Sequence, residues 1–405
     1  MSGFNPRDPA FIANPYPFYS QLRSFMPVWK DPMGRVILTR YDDANRLVRD
    51  RQFGKFFSDP ENLSRRFGPT AMQEPAVVEL SHMMLTQDPP DHTRLRGLVA
   101  KVFTARKMED MRPFIQSLTD RLLDNVERNG EMDAIRDLAF PLPVLVICEL
   151  LGIPEEDRIN FVNGTASGGT LLNPVVPTRE ELDRANQSSR DSEAYFERLF
   201  EIRRKEPRDD LLTLLVQAEE AGDHLTPAEL RANCTLLFGA GHETTVNLIG
   251  NGLWALHKNP SQWAAIREDP SLIPNAIEEV LRYESPVQMV TRMASEPIDF
   301  GGTVVQPGVP IIALLGAANR DPAEFPDPDR MDVTRERLKP LSFGGGIHFC
   351  IGAQLARIEA EVVFSTLLRR LPDIRLPERD TPKWRESFTL RGLTTLPATW
   401  TPTRH

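Results

Sequence analysis

The chain has 405 residues, 40% of them hydrophobic and 26% charged, with a formal net charge of -9. That make-up is ordinary for a soluble globular protein with room for a large core, and it argues against nucleic acid or an anionic membrane as partner, because both require a basic footprint. Three cysteines, Cys148, Cys234 and Cys350, are too few and too odd in number for a disulfide framework and point to a reducing compartment.

The first residues, MSGFNPRDPAFIANPYPFY, are polar and proline-rich and lack the charged-then-apolar pattern of a signal peptide. Residues 35–39 read as a strand and Tyr41 to Arg49 as a short helix, followed by a loop-rich stretch to Pro90. Asp91 and Thr93 are candidate caps for a helix to about Thr104. Helical patterns follow over 109–128, 137–151, 179–204 and 210–221. The longest apolar run, Val144 to Leu151, is interrupted by Glu149 and falls well short of the roughly 20 residues that span a bilayer, so it reads as a buried helix. Thr226, Pro227 and Glu229 form a capping-box start for a long apolar helix reaching His257. A helix from about Ile273 to Tyr283, two strands over 298–305 and 309–314 around the turn Gln306-Pro307-Gly308, and a last helix from near Ile351 to before Pro372 complete the pattern. No repeat or flexible linker interrupts it, so one continuous domain is the expectation, cytoplasmic and without a membrane anchor.

The strongest chemical signal is Phe343-Gly-Gly-Gly-Ile-His-Phe-Cys-Ile-Gly352. Its three consecutive glycines permit a tight loop whose backbone approaches a flat ligand closely. Cys350 then stands at the start of the next helix, where the positive helix end favours a thiolate, the form that binds a metal. Gly352 leaves space beside the sulfur. The usual fate of a lone cysteine is a small buried hydrophobe, which suits Cys148 and Cys234 on apolar stretches but not a cysteine in a glycine-rich loop. Zinc held by His348 and Cys350 is a further reading, although a structural site needs four ligands.

This segment resembles the haem-binding loop of the cytochrome P450 family, Phe-Gly-x-Gly-x-His-x-Cys-x-Gly, at every fixed position. The resemblance implies a mainly α fold, a large helical region (about 91–285 and 351–371) with a smaller β-rich lobe (about 1–60 and 290–400), and haem b between the long central helix and the Cys350 loop. It makes Cys350 the axial iron ligand, with Phe343, Gly344, Gly352 and Ala356 beside the cofactor. Ala240-Gly-His-Glu-Thr-Thr245 resembles the family's oxygen-activation motif, with Ala240 against the haem and Glu243 and Thr244 as proton-handling acid and alcohol. Read by itself, Gly241 lowers helix stability by roughly 1 kcal/mol relative to alanine and wants a reason: ligand approach, a local kink, or simply a buried helix contact.

Further segments extend the resemblance from Asn14-Pro15-Tyr16-Pro17 to Leu396-Pro397. His92 and Arg96, one helical turn apart, match the family's propionate clamp, and Arg292 and His348 match two more. By themselves His92 and Arg96 would read as a surface face. Glu279 and Arg282, three apart on one helix face, match the buried Glu-x-x-Arg ion pair, with Arg330 as its third member, although Met331 stands where the family usually has Phe. The match places Met83, Met84, Leu236, Gly239, Gln288, Met289, Thr389 and Leu390 at the substrate pocket, each of which is by itself an ordinary core position. Gly164 to Pro174 is a lid candidate. Gly250-Asn-Gly-Leu-Trp-Ala255 mimics a dinucleotide fingerprint but lies inside a helix, and with no other nucleotide motif in the sequence a fused reductase domain is not expected.

The implied activity is insertion of one oxygen atom of O2 into a C–H bond of a small to medium apolar molecule. Electrons come from NAD(P)H indirectly, through a ferredoxin and ferredoxin reductase. Lys101, Arg106, Lys107, Arg112, Lys339 and Arg357 are candidates for the docking face. The alternatives are a peroxide-using peroxygenase, a non-catalytic haem sensor, and a helical protein without haem.

Overall fold

A computed structural model describes residues 7–57, 59–158, 171–173, 176–220 and 225–402. The fold is mainly α, and its residues group into two compact units. The first takes in residues 1–53, 108–143 and 243–405, and the second residues 54–107 and 144–242.

The first unit is built around a sheet ordered Val28–Lys30, Val36–Leu38, Pro310–Leu314, Met289–Ala294, with a fifth, two-residue strand starting at Phe53. Val36–Leu38 runs parallel to Pro310–Leu314, and both are continuous β-branched or leucine-rich runs because both faces are covered. Side chains alternate between the faces. Val36, Leu38, Ile311 and Ala313 join Tyr41, Ala44 and Leu47 of the helix Tyr41–Arg49. Ile37, Ile312, Leu314 and Met289 join Tyr16, Tyr19 and Leu22 of the helix Tyr16–Phe25. The second unit has its own apolar cluster, Leu63, Phe67, Val77, Leu80, Leu182 and Ala185 among its members.

The helices Tyr41–Arg49 and Ile273–Tyr283 fall where expected, and Pro227–Lys258 starts on the anticipated box. Thr226 N–H donates to Glu229 Oε2 at 2.8 Å, and Glu229 N–H donates to Thr226 Oγ1 at 3.2 Å. Elsewhere proline explains the differences. The stretch before Pro90 holds helices Pro60–Phe67 and Pro75–His82, each opened by its proline, which needs no N–H partner in a first turn. Pro9–Ala13 starts the same way, capped by Asp8. The helix expected over 109–128 is split into Ala105–Asp110 and Arg112–Asp124, with Pro113 in the first turn of the second. That over 137–151 is a π turn, Ile135–Ala139, followed by Pro141–Leu151. The helix at Asp91 ends at Val99 and has no side-chain cap, and the last helix spans Ala353–Arg370. The strand expected over 298–305 is a hairpin, Ile298–Phe300 with Thr303–Val305, turned by Gly301 and Gly302 at positive φ. Among the described residues no helix is long and apolar enough to cross a membrane.

The helix Ile273–Tyr283 carries the best-sealed ion pair of the unit. Arg282 grips Glu279 with two hydrogen bonds, 2.7 and 2.8 Å, and both side chains are 0% exposed. The remaining guanidinium donors reach the carbonyls of Asn319, Pro328 and Arg330. Arg330 is therefore present through its backbone only. Its side chain turns out to Asp332 at 2.9 Å and is 66% exposed. The second cation on the buried carboxylate is Arg335, with Nε 3.4 Å from Glu279 Oε2. The chain reverses between the two residues, and only Arg335 ends on the inside.

The helix Ala353–Arg370 buries a second carboxyl. Glu359 is 1% exposed and its Oε2 meets no hydrogen-bond partner, so burial pushes the group well above the ordinary value of 4.5.

Two measurements test these assignments. Arg335→Ala should cost about 1–3 kcal/mol in denaturant unfolding, because it strips a partner from a buried charge, whereas Arg330→Ala should stay within about 0.5 kcal/mol of the parent. For Glu359 the raised value means that its stabilising contribution is complete below pH 4.5 and is lost as the pH climbs through the folded value. Glu359→Gln should remove that slope and raise the melting temperature on the alkaline side, and an unchanged profile would refute a buried neutral carboxyl.

Candidate functional site

The Cys350 loop belongs to the first unit and is closed by its own backbone. Cys350 N–H donates to the carbonyl of Phe343 at 2.9 Å. Gly344 and Gly346 adopt φ of 70° and 61°, conformations that L side chains rarely take. Sequence reasoning gave the three glycines to ligand approach, but two of them serve the fold. A Cβ on Gly345 would lie 2.8 Å from Val48 Cγ2, and one on Gly346 would lie 2.5 Å from the Val48 carbonyl oxygen. The loop sits on the end of the helix Tyr41–Arg49 and cannot carry side chains there.

Hydrogen bonds tie the loop to the buried ion pair. Asn319, whose carbonyl accepts from Arg282, donates through Nδ2 to Ser342 Oγ at 2.9 Å and accepts Leu341 N–H at 2.7 Å. Ser342 Oγ donates to the Leu281 carbonyl at 2.6 Å and accepts from Ser285. Phe343 follows directly. Arg357 lies 4.6 Å over its ring and pairs with Glu278.

Within this frame Cys350 is exposed, as are Ile347 and Phe349, while Cys148 and Cys234 are buried. Burial pushes the Cys148 thiol to about 12 and raises Cys234 as well, so neither supplies a thiolate. Cys350 precedes the N-cap, Gly352, by two residues, and a Cβ on Gly352 would meet nothing within 4 Å. Ala356 is buried one turn into the helix. His348 is half-buried, and Arg292 is buried on the strand Met289–Ala294 with one donor on the Thr291 carbonyl. Among the described residues no three His, Cys, Asp or Glu side chains gather as a ligand set, which leaves zinc without its ligands.

The long helix contributes Glu243 and Thr244 to the first unit, both half-buried. Burial raises the Glu243 carboxyl and Arg385, 3.4 Å away, opposes the rise. Gln288 and Met289, which the family match places at the substrate, are buried. The Gln288 amide donates to the Ser285 carbonyl and accepts from the Tyr19 hydroxyl, and Met289 lies among Tyr16, Tyr19 and Leu22. Thr389 and Leu390 are buried beside them, the Thr389 carbonyl accepting Gln288 N–H and Leu390 bridging Val287.

The second unit holds His92, buried, and Arg96, half-buried, one turn apart on the helix Asp91–Val99. Its share of the long helix has an open face: Ala240 is exposed and a Cβ on Gly239 would meet nothing within 4 Å. Gly241 faces Ile147, whose Cγ1 a Cβ would approach to 2.8 Å, so helix contact explains that glycine. The helix is α throughout Pro227–Lys258, without a widened turn. Leu236 and Met84 are buried, Met84 N–H donating to Asn233 Oδ1, and Met83 lies against the apolar cluster. Of the lid candidate, 164–170 and 174 lie outside the described residues, and Leu171 joins that cluster.

The proposed docking cations divide. Lys101, Arg106, Lys107 and Lys339 are exposed, but Arg112 is already paired with Glu109 and Glu361, and Arg357 with Glu278. Arg335, Asn319, Ser342 and Arg385 were not anticipated. None lies in a spacing that sets it apart in one sequence.

Comparison with known proteins agrees with this geometry. The family model described as Cytochrome P450 matches residues 176–400. The chain is 43% identical over 402 residues to cytochrome P450 107B1 of Saccharopolyspora erythraea, covering 96% of each. It is 41% identical to a vitamin D(3) 25-hydroxylase of Pseudonocardia autotrophica, covering 97% of this chain and 95% of that one. Among solved structures, P450BioI in complex with an acyl carrier protein ligated to hexadec-9Z-enoic acid superposes with a TM-score of 0.90 at 38% identity, over 97% of this chain and 99% of that one.

Proposed function

Because the chain belongs to the cytochrome P450 family and is a monooxygenase of that family, we propose that it inserts one atom of O2 into a C–H bond of a small to medium apolar substrate, with Cys350 as the iron ligand. The observation that carries this reading is the exposed thiol on a loop held by the buried Glu279–Arg282 pair, in a chain whose other cysteines are sealed.

The residues present fit haem b. The thiol is exposed, as are its neighbours Ile347 and Phe349, and a Cβ on Gly352 would meet nothing within 4 Å. Haem, once bound, supplies the oxygen-activating redox chemistry, and a thiolate ligand favours O–O cleavage. The chain's own residues do the rest. His92, Arg96, Arg292 and His348 give the two propionates cationic or hydrogen-bonding partners, which buried carboxylates require. By the family match, Phe343, Gly344, Gly352, Ala356 and Ala240 would border the cofactor. By the family match, Gly239, Leu236, Met83, Met84, Gln288, Met289, Thr389 and Leu390 would line the substrate site.

Glu243 and Thr244 handle protons. A carboxyl raised by burial releases its proton closer to neutrality than an exposed one, which suits a proton donor. The neighbouring threonine hydroxyl both donates and accepts. This acid and alcohol favour the O2 route over the peroxide route, which needs no proton delivery. Electrons come from NAD(P)H through a ferredoxin and its reductase, docked on exposed lysines and arginines. The sparse cysteines support a cytoplasmic setting.

Two variants test the reading. Cys350→Ala should abolish the red-shifted Soret band of the reduced carbon monoxide complex, and its survival in a folded variant would overturn the ligand assignment. Thr244→Ala should lower product formed per NAD(P)H by on the order of tenfold or more while peroxide-driven turnover persists; equal losses by both routes would remove the proton-handling role.

A further inference from the structure

No helix or strand runs between Lys383–Trp384 and Leu393–Thr395, yet this stretch carries Thr389 and Leu390. A segment without ladder bonds along its length keeps one path only where its side chains are anchored. The two residues that flank Thr389 and Leu390 are Phe388 and Arg391, and both are tied to residues 11–16, within the first unit.

Phe388 is buried in the cluster of Tyr16, Tyr19 and Leu22. Its ring lies 5.6 Å from that of Phe11, which also meets Phe18 at 5.5 Å and Tyr19 at 5.8 Å, both edge-on. On the other flank Arg391 donates to the Ile12 carbonyl at 2.6 Å and to the Ala13 carbonyl at 3.1 Å. These are the last carbonyls of the helix Pro9–Ala13, which have no acceptor role inside it. The Arg391 Nε donates to Glu284, whose carboxylate also accepts from the Tyr16 hydroxyl at 2.8 Å. A third tie reaches the pair itself. The Tyr19 hydroxyl donates to Gln288 Oε1 at 3.1 Å, and Gln288 N–H donates to the Thr389 carbonyl at 2.8 Å.

The early residues are preset for this task. Asp8 caps Pro9–Ala13 by accepting Ala10 N–H at 2.9 Å, and Asn14 accepts Tyr16 N–H at 3.3 Å. Other elements hold the segment as well. Asn251 of the long helix donates to the Arg391 carbonyl at 2.9 Å, and a Cβ on Gly392 would collide with the Asn247 amide. Leu390 bridges Val287. The long helix and residues 284–288 are themselves parts of the core, so the short helix Pro9–Ala13 is the outermost member of this set and the one whose packing is partial. Phe11 is half-buried.

We propose that residues 8–19 form an outer layer of the substrate site, with Phe11 as a positioning residue: through Phe388 it sets where Thr389 and Leu390 stand, and so how bulky a molecule the site admits. The inference rests on the reading of Thr389 and Leu390 as substrate-lining. Small displacements of a wall matter because discrimination by an apolar site depends on the fit of single groups.

The test uses the holoenzyme and two nitrogen ligands of the iron, imidazole and 1-phenylimidazole, followed by the Soret shift on binding. Imidazole reads access to the metal, and the added phenyl ring reads the wall. In Phe11→Ala the Kd of 1-phenylimidazole should change by roughly two- to tenfold, the most that loss of one aromatic contact can pass on, while the Kd of imidazole stays at the parent value. Phe11→Leu, which refills the space, should bring the ratio of the two constants back toward the parent. A ratio that ignores Phe11→Ala, a change that leucine does not reduce, or two constants that move together would each overturn the inference, the last because it marks general loosening. Leu390→Phe separates the two readings. If it leaves the 1-phenylimidazole constant unchanged, the lining assignment is wrong and the outer layer falls with it. If it shifts that constant while Phe11→Ala does not, only the outer layer falls.

Discussion

Glu279 and Arg282 are sealed from water, and a charge in that position tolerates no vacancy among its partners. Leaving one partner of such a pair alone typically costs about 3–5 kcal/mol. The guanidinium therefore fixes the carbonyls it bonds, those of Asn319, Pro328 and Arg330. Asn319 in turn fixes Leu341 and Ser342, and two residues later the thiol loop begins. The pair touches nothing reactive. Its work is to transmit a rigid reference from the helix Ile273–Tyr283 to the turn from which Cys350 is suspended.

Burial then decides what like residues do. Three cysteines share one chain; the two in helices are deeply covered and hold their protons, and the one on the loop faces out. Glu279 and Glu243 are both paired to arginine, yet one pair is a locked strut and the other a loose edge contact. The long helix is likewise two surfaces. One presents Gly239 and Ala240 to open space, and the other binds its Asn residues to the segment around Arg391 and Gly392.

The parts legible in one sequence are those set by local chemistry. The Thr226–Glu229 box, the helix Tyr41–Arg49 and the Glu279–Arg282 pair needed only residues a few positions apart. Proline misled in both directions: Pro60 and Pro75 lay in a stretch expected as loop and Pro113 inside one expected helix, yet each opens a helix of its own. The larger misses depend on what lies opposite. That Gly345 and Gly346 yield to Val48, and that Ile147 is the contact for which Gly241 makes room, are facts about partners distant in the chain, which spacing does not encode. Arg335 replaces Arg330 for the same reason: the turn between them chooses which cation faces inward.

The seat of the thiol loop also orders events in time. Its floor is Val48, its brace is Leu281 to Ser285, and its own residues follow both in the chain. A ribosome delivers the floor early and the loop last, and domains assemble as their parts emerge. The seat of the Cys350 thiol is therefore complete only after the loop has followed Val48 and Leu281 to Ser285 out of the exit tunnel. A nascent chain that stops short of Cys350, however helical, has the floor and the brace but not the loop that they hold.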